Sequence, residues 1–295
     1  MALFHVIGLG SMGLGMAVSL RRAGHEVYGL DLNTAQIAKL QDAGGHALTK
    51  ASPPADALIC VVLNAAQTET ALFGPEGWAE QLKPGGTILS CATVAPDFAK
   101  RMEAQAQARG LHYLDAPISG GSLRAASGEL SVMASGTAAA FEGAAEALAA
   151  MAQTVHRLGD QAGPGSAMKA VNQLLAGVHI AAMGEALGFA TSQGLDLARV
   201  LDVIRVSAGT SWMFENRAPH VIDADYTPRS TINIWPKDLG IVTDIAAGAN
   251  LPLPLTETAL AQYRAAAEAG LGQEDDAAIT KLVAARAGLK LPGNK

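Results

Sequence analysis

Three kinds of residue are scarce in this sequence, and each shortage excludes a class of protein. Aromatic residues make up only 4% of the 295 positions, which disfavours an aromatic-rich β-sandwich. The two cysteines, Cys60 and Cys91, lack metal-site spacing and are too few for a disulfide framework, so we expect a reducing, cytoplasmic location. Charged residues make up 16%, with a net charge of −6 and no basic patch, so nucleic acid is not expected as a partner.

The sequence also shows no signal for export, membrane insertion or metal binding. It opens with an apolar, strand-like run in place of the charged start of a signal peptide. No continuous apolar run reaches the ~18 residues of a membrane span, so no membrane partner is expected. The seven histidines are scattered without a second ligand at metal spacing, and no metal is predicted.

The first half of the chain alternates strand and helix patterns. Strands are predicted at 3–7, 26–30, 57–63, 86–90, 112–115, 130–134 and 155–158, and the first helices at 11–23 and 34–42. Such alternation predicts an α/β fold, a doubly wound parallel sheet with helices on both faces. Since 295 residues exceed the usual size of one core, we expect a second domain.

The second half has helical spacing almost throughout. Helices are predicted at 166–193, 198–207, 237–249, 255–269 and 277–287. Gly177, Gly184 and Gly188 within the first of these disfavour a helix by ~1 kcal/mol each and so indicate close packing against a neighbour. The glycine-rich stretch 159–165 separates the halves, which predicts a Rossmann domain over 1–161 and an all-α domain over 162–295.

A glycine-rich turn lies between the first strand and the first helix. In the run Gly8-Leu9-Gly10-Ser11-Met12-Gly13, the first glycine permits a tight turn, the second admits a pyrophosphate and the third allows close helix–strand packing. Asp31, 18 residues after Gly13, ends the second strand and suits the ribose hydroxyls of NAD, while no arginine follows to bind the 2′-phosphate of NADP. NAD is therefore the expected cofactor. A plain glycine turn, with Asp31 as a helix cap, is the alternative.

Two further groups of residues have the chemistry that an alcohol oxidation needs. Lys169, Asn172 and Gln173 share one helix face with Ala176, and apolar neighbours favour partial burial of the lysine, whose neutral amine would accept a hydroxyl proton. A solvated surface lysine is the alternative. Ser119 and the N–H groups of Gly120 and Gly121 would form an anion-binding nest, unless this is an ordinary proline–glycine loop.

Four separated motifs resemble those of the β-hydroxyacid dehydrogenases, the relatives of 3-hydroxyisobutyrate and 6-phosphogluconate dehydrogenases, over essentially the whole chain. The motifs are Gly8 to Gly13 continuing to Gly15-Met16, Asp115 to Gly121, Gly163-x-Gly165-x3-Lys169-x2-Asn172-Gln173, and Lys237-Asp238-Leu239-Gly240. The resemblance implies a 6-phosphogluconate dehydrogenase-like fold, an N-terminal Rossmann domain followed by an all-α domain, with substrate in the cleft between them.

The resemblance also implies roles for individual residues. Lys169 would be the acid/base lysine, and Ser119, Gly120 and Gly121 would hold the substrate carboxylate. Lys237 would reach the cofactor–substrate cleft, and Thr93 would lie on the cofactor because 90–96 matches the loop beside the nicotinamide. The complete set expected to bind the cofactor is Gly8, Leu9, Gly10, Ser11, Met12, Gly13, Asp31, Leu63, Asn64, Thr93 and Lys237.

One position departs from the family pattern. The broader family has two adjacent asparagines where this chain has Asn172 and Gln173, both expected to bind substrate, and the longer glutamine alters the reach of the amide. The stretches 172–179, 211–217 and 225–229 resemble the L-threonate dehydrogenase branch, which oxidises a four-carbon sugar acid at C2. Trp212 and Phe214 are open between core and substrate lid.

The expected function is therefore NAD-dependent oxidation of a small hydroxyacid by an enzyme with Lys169 as general acid/base, with L-threonate as the first candidate substrate. Turnover of 3-hydroxyisobutyrate or tartronate semialdehyde is the enzymatic alternative, and imine reduction is another. A non-catalytic NAD-binding redox sensor is the alternative from a different class. The glycine-dotted long helix and the alanine-rich second half favour a homodimer or homotetramer.

Overall fold

The computed structural model describes residues 1–293, which form two compact units divided after Lys169. The division expected from the sequence, at 161/162, lies at the loop that precedes the long helix. That helix begins in the first unit and continues into the second. The domain bounds therefore stay a prediction, since the division between the units falls inside this helix.

The first unit is built on a six-stranded, fully parallel sheet with the order β3-β2-β1-β4-β5-β6. Its strands are β1 (Leu3–Ile7), β2 (Glu26–Leu30), β3 (His46–Ala47), β4 (Ala55–Cys60), β5 (Leu82–Ser90) and β6 (His112–Asp115). This is the order of doubly wound dinucleotide-binding sheets, and the order of strands reverses between β1 and β4. The predicted α/β fold class is confirmed.

Helices cover both faces of this sheet, so its central strands are buried on both sides. The helices are α1 (Gly13–Arg22), α2 (Thr34–Asp42), α3 (Ala65–Phe73) and α4 (Pro96–Gln107). Local chemistry sets where they begin: the side chain of Asn33 accepts the N–H of Ala35 at 3.0 Å, and Pro96 stands in the first turn of α4. Two apolar cores result, one on each face of the sheet.

A second, smaller sheet holds the last strands of the first unit. It consists of β7 (Ile118–Ser119), β8 (Leu130–Ala134) and β9 (Ala152–Arg157), in which β7 pairs antiparallel to β8 and β8 parallel to β9. Three short helices accompany it, α5 (Gly121–Ser127), α6 (Ala138–Gly143) and α7 (Ala145–Met151). The predicted strands at 130–134 and 155–158 thus belong to a separate, mixed sheet because β7 turns the chain back after β6.

In the second unit the described residues form helices, as the spacing predicted. They are α8 (Pro164–Ser192), α9 (Leu197–Ile204), α10 (Trp212–Ile222), α11 (Ile234–Gly248), α12 (Pro254–Ala266) and α13 (Ile279–Arg286). The three glycines of α8 lie where other helices approach. A Cβ at Gly177, Gly184 or Gly188 would come within 3.0 Å of side chains from α11 or α13. The close packing expected from these glycines is confirmed.

Among residues 1–293 one helix, α8, is long and apolar enough by length and composition to cross a membrane. The best 18-residue window has a mean hydropathy of 1.4, and 39% of it is buried in the protein. The sequence did not predict this helix as a possible span because four polar residues interrupt its apolar run: Lys169, Asn172, Gln173 and Glu185. The glycine contacts along α8 are those of a helix packed in a protein core.

His5 makes the stability of the first unit depend on pH. Its ring is fully buried in β1, with Nε2 3.0 Å from the carbonyl oxygen of Pro53, while Nδ1 has no hydrogen-bond partner among residues 1–293. Since a second ring proton would be left buried without an acceptor, burial lowers the pKa of His5 to about 4.

We therefore expect that the native state binds a proton at His5 less tightly than the unfolded chain does. The contribution of the neutral ring is fully present above about pH 6.5 and is lost as the pH falls towards about 4, by ~3 kcal/mol in total. His5→Gln, which keeps a donor for Pro53, should flatten the pH dependence of the unfolding free energy, measured by urea denaturation. The matched variant of an exposed histidine, His156→Gln, should not; an equal effect of both would contradict this assignment.

Candidate active site

Candidate residues gather at one edge of the six-stranded sheet. Because the strands are parallel, their carboxyl ends lie at the same edge, where ligands of open α/β sheets bind. Gly8 follows β1 and Asp31 follows β2. Leu63 and Asn64 lie in the loop after β4, Thr93 lies in the loop after β5, and Asp115 is the last residue of β6. Most of the predicted cofactor set therefore stands on neighbouring loops of one edge.

The glycine turn after β1 packs closely against the backbone of Val61 and against its own first residue. Gly8 has a φ of +88°, and a Cβ there would collide with the carbonyl oxygen of Val61. A Cβ at Gly13 would likewise collide with the carbonyl oxygen of Gly8. Gly10 differs, since a Cβ there would meet nothing within 4 Å. The first and third glycines are thus required by packing, and the second leaves its side of the turn open.

That opening fits a dinucleotide pyrophosphate. The helix α1 begins next to Gly10, and the residue at its N-cap, Met12, makes no side-chain capping hydrogen bond. Uncapped N–H groups at a helix start favour an anion, and the missing side chain at Gly10 gives it room. The residues present therefore fit a bound NAD.

Asp31 is tied to the glycine turn by hydrogen bonds. One carboxylate oxygen accepts the N–H of Leu9 at 2.6 Å, and the other accepts the N–H of Asn33 at 2.8 Å. The helix after β2 is capped by Asn33, so the alternative interpretation of Asp31 as the helix cap is not needed. Its negative charge stands beside the turn, where it suits ribose hydroxyls and opposes a 2′-phosphate.

Leu63, Asn64 and Thr93 complete the residues on the cofactor side of this edge. The side chain of Asn64 caps α3 by accepting the N–H of Gln67 at 2.9 Å, and the side-chain oxygen of Gln67 accepts the N–H of Leu63 at the same distance. Leu63 is about half exposed, and Thr93 follows β5 and is partly exposed. Their assignment to the cofactor stays a prediction, and for Asn64 the structure shows a helix cap.

The loop after β6 contains two glycines with positive φ. Gly120 has a φ of +134° and Gly121 a φ of +76°, conformations that a side chain would strain. A Cβ on Gly121 would meet nothing within 4 Å, and Ser119, which pairs with β8, is partly exposed. The turn is therefore open beside Gly121, and the assignment of these three residues to the substrate carboxylate stays a prediction.

Asp115, the last residue of β6, anchors the beginning of α8. Its carboxylate accepts the N–H groups of Gly163 and Ser166 at 3.0 and 2.8 Å and the hydroxyl of Ser166 at 2.6 Å. The hydroxyl of Ser135 donates to it at 3.3 Å. Burial raises the pKa of Asp115, and the hydrogen bonds from Ser166 and Gly163 oppose that shift.

Lys169 lies one turn after Ser166 on the same helix. Its side chain is buried, at 7% exposure, so the alternative of a solvated surface lysine is wrong. Of the apolar neighbours expected to bury it, Met168, Val171 and Leu175 are themselves about half exposed, and Leu174 is partly buried.

Asn172 and Gln173 belong to a series of polar side-chain contacts within the second unit. The Nδ2 group of Asn172 donates to Gln173 Oε1 at 2.9 Å, and Gln173 Nε2 donates to Asp238 Oδ2 at 2.5 Å. The other oxygen of Asp238 lies 2.5 Å from the ammonium nitrogen of Lys237. The structure thus brings together two predicted substrate residues and one predicted cofactor residue, with Asp238 between them.

Of the two aromatic residues left open, one is settled. Phe214 is buried in the core of the second unit, so it is not a lid. Trp212, at the first position of α10, is 55% exposed. The Ser211 side chain caps this helix by accepting the N–H of Phe214 at 3.0 Å, which fixes both aromatic residues at the helix start.

Two residues important to this site were given no role from the sequence. Asp115 and Asp238 lie within the motifs, but Gly163, Ser166 and Gln173, which donate hydrogen bonds to them, are 48 to 65 residues away in the chain. Asp115 ends a predicted strand, and Asp238 directly follows Lys237, so each stood beside a predicted site residue. No local signal shows which distant donor a carboxylate binds. Among residues 1–293 no three metal-ligating side chains cluster to hold an ion.

The fold, the glycine turn and the acidic residue after β2 define a dinucleotide-binding dehydrogenase. Two family models match the chain: the NAD-binding domain of 6-phosphogluconate dehydrogenase over residues 4–159, and the NAD-binding domain of NADP-dependent 3-hydroxyisobutyrate dehydrogenase over 163–283. Together they span both units.

Individual relatives agree with these models over nearly the full length. The chain is 47% identical to L-threonate dehydrogenases of Escherichia coli K12 and Cupriavidus necator, covering 99% and 98% of this chain and 98% and 97% of theirs. A crystal structure described as 3-hydroxyisobutyrate dehydrogenase from Salmonella typhimurium superposes with a TM-score of 0.91 at 45% identity, over 96% of this chain and 100% of that one. The chain belongs to the β-hydroxyacid dehydrogenase family and is an NAD-dependent hydroxyacid dehydrogenase.

The position of Asp31 predicts the effect of removing its charge. Asp31→Asn keeps an acceptor for the glycine turn but removes the repulsion of a 2′-phosphate, so kcat/KM with NADP relative to NAD should rise about tenfold or more. Steady-state kinetics with both cofactors measure this ratio, and Asp42→Asn, an exposed aspartate at the end of α2, is the matched control. An unchanged ratio in Asp31→Asn would remove this residue from cofactor selection.

Proposed function

We propose that this enzyme oxidises L-threonate at C2 to 2-oxo-tetronate with NAD. The observation that carries the proposal is 44–47% identity, over 97–99% of the chain, to L-threonate dehydrogenases from five bacterial strains. Polar residues at the start of α10, including Thr210 and Ser211, suit a substrate with several hydroxyl groups. Bound NAD supplies the hydride acceptor for the oxidised carbon.

In this proposal the carboxylate of the substrate binds at Ser119, Gly120 and Gly121. In support, nothing lies within 4 Å of a Cβ built on Gly121, which leaves room for an anion to approach its backbone N–H group. Binding the carboxylate at a rigid turn fixes which carbon of the sugar acid can react. Asn172, partly exposed on α8, would orient a hydroxyl group next to the reacting carbon.

Lys169 would accept the proton of the C2 hydroxyl. In support, the side chain is buried, so its amine is shielded from bulk water. Its helix begins at the hydrogen bonds to Asp115, which fix the backbone one turn before the lysine. A positioned base near the hydroxyl is what hydride removal from an alcohol requires.

A second candidate reaction has a specific observation in its favour. The Salmonella typhimurium structure at 45% identity is described as a 3-hydroxyisobutyrate dehydrogenase. Initial rates of NADH formation with L-threonate, 3-hydroxyisobutyrate and other small hydroxyacids separate the two reactions.

We expect the highest kcat/KM in that panel with L-threonate. Lys169→Ala should then lower kcat by about a thousandfold, within the range for removal of a general acid or base, and leave NADH binding largely unchanged. Lys290→Ala, at an exposed lysine in the second unit, should have normal activity. A preference for 3-hydroxyisobutyrate would overturn the substrate, and near-normal turnover by Lys169→Ala would overturn the role of the lysine. Tight NADH binding without turnover of any substrate would favour a redox sensor.

We also propose a cytoplasmic homo-oligomer that associates through the second unit. Along α8, Val171, Leu175 and Phe189 are half or more exposed at helical spacing, with Phe189 at 68%. Such an apolar stripe suits burial against a second copy of the chain. Light scattering should give a dimer or tetramer for the native chain and for Phe189→Leu, and a smaller species for Phe189→Glu. A monomeric native chain would contradict the proposal.

A further inference from the structure

A series of polar side-chain contacts runs from Asn172 through Gln173 and Asp238 to Lys237. Gln173 receives the amide of Asn172 at its carbonyl oxygen and gives its own amide to Asp238, 2.5 Å away. Asp238 in turn lies 2.5 Å from the ammonium group of Lys237. Both ends of the glutamine amide are therefore engaged within the protein, and Asp238 connects it to the ammonium group of Lys237.

Burial makes these contacts interdependent. Gln173 and Asp238 are 8% and 3% exposed, so water cannot replace a lost partner of either. The carboxylate of Asp238 has one oxygen bound to a neutral donor and the other to a cation. Without the amide of Gln173, one buried carboxylate oxygen would lack its donor, and the position of the whole carboxylate would change.

The backbones of α8 and α11 approach closely beside these contacts. One turn after Gln173, a Cβ at Gly177 would lie 2.8 Å from Leu239 and 2.9 Å from Trp235. The hydroxyl of Tyr263 donates to the carbonyl oxygen of Gly177 at 2.9 Å, and its ring stacks on Trp235. The two helices are thus fixed with respect to each other, and the length of the side chain at 173 decides whether it reaches Asp238.

We propose that Gln173 is a positioning residue for the cofactor side of the site, acting through Asp238 on Lys237, rather than a residue that binds substrate. The inference rests on the proposed role of Lys237 in cofactor binding. A lysine is a compact charge on a flexible stem, so its location depends on the groups around it, and Asp238 is one of those groups. An asparagine, one methylene or about 1.5 Å shorter, would leave Asp238 without this amide.

The test compares cofactor binding with substrate binding in the full-length enzyme. Gln173→Met removes the amide at similar length, and we expect the dissociation constant of NADH, measured by fluorescence titration, to rise about five- to tenfold. The KM for the hydroxyacid at saturating NAD should stay within about twofold. Gln193→Met, at an exposed glutamine after α8, is the matched control and should leave both quantities unchanged.

A double variant tests the path through Lys237. If Gln173 acts through this lysine, Gln173→Met combined with Lys237→Met should bind NADH no more weakly than Lys237→Met alone. Gln173→Asn, which keeps an amide but is too short, should weaken NADH binding in the same direction as Gln173→Met. It remains informative if the methionine variant fails to fold, which circular dichroism would reveal.

The outcomes separate this inference from the proposed function. A raised substrate KM with an unchanged NADH dissociation constant would show that Gln173 binds substrate directly, and would overturn the inference alone. Weaker NADH binding in Lys237→Met, with no effect of either Gln173 variant, would also overturn the inference alone. If Lys237→Met itself binds NADH normally, the proposed cofactor role of Lys237 is wrong, and the inference falls with it.

Discussion

The buried carboxylate of Asp115 is the contact on which the proposed chemistry depends. It receives two backbone N–H groups and one hydroxyl from the beginning of α8, where the unpaired N–H groups and the helix dipole favour a negative charge. The carboxylate stands at the end of β6, a strand held in register by β5. The first turn of a 29-residue helix is thereby attached to the edge of a rigid sheet, and Lys169 follows one turn later.

Glycine residues make such attachments possible where two backbones meet. A Cβ at Gly165 would lie 2.5 Å from the carbonyl oxygen of Met133 and 2.7 Å from that of Asp115. The same requirement explains Gly13, which packs against the carbonyl of Gly8. In both places the glycine lies in the first turn of a helix that contributes to the site. With Gly8, three of the motif glycines are therefore explained by close approach of main chains, whereas Gly10 is explained by the space that it leaves for a ligand.

The sequence allowed prediction of those elements whose signal is local. The bounds of β1, β2, β6 and β8 were predicted to the residue, because short apolar runs were flanked by turn residues. The helix α3 was missed because only Thr68 and Leu72 of its nine residues are buried, and α10 because Pro219 lies within it. The predicted strand at 57–63 ends at Cys60, since the chain turns there towards Gly8. In the site, the glycine turn and Asp31 were predictable from spacing, but the partners of Asp115 and Asp238 depend on the folded chain.

The buried carboxylates of Asp115 and Asp238 are held by different kinds of partner. Asp238 holds Lys237 directly, as an ion pair that also receives the neutral amide of Gln173. Asp115 is 1% exposed and binds neutral donors, Ser166, Ser135 and main-chain N–H groups, and it acts on Lys169 through the helix. A buried carboxylate needs donors for its oxygens, and the two sites meet this need differently. At Asp115 most donors come from the beginning of a helix, so the carboxylate fixes a backbone. At Asp238 the donor is the side chain of Gln173, next to the charge of Lys237, so the carboxylate fixes side chains.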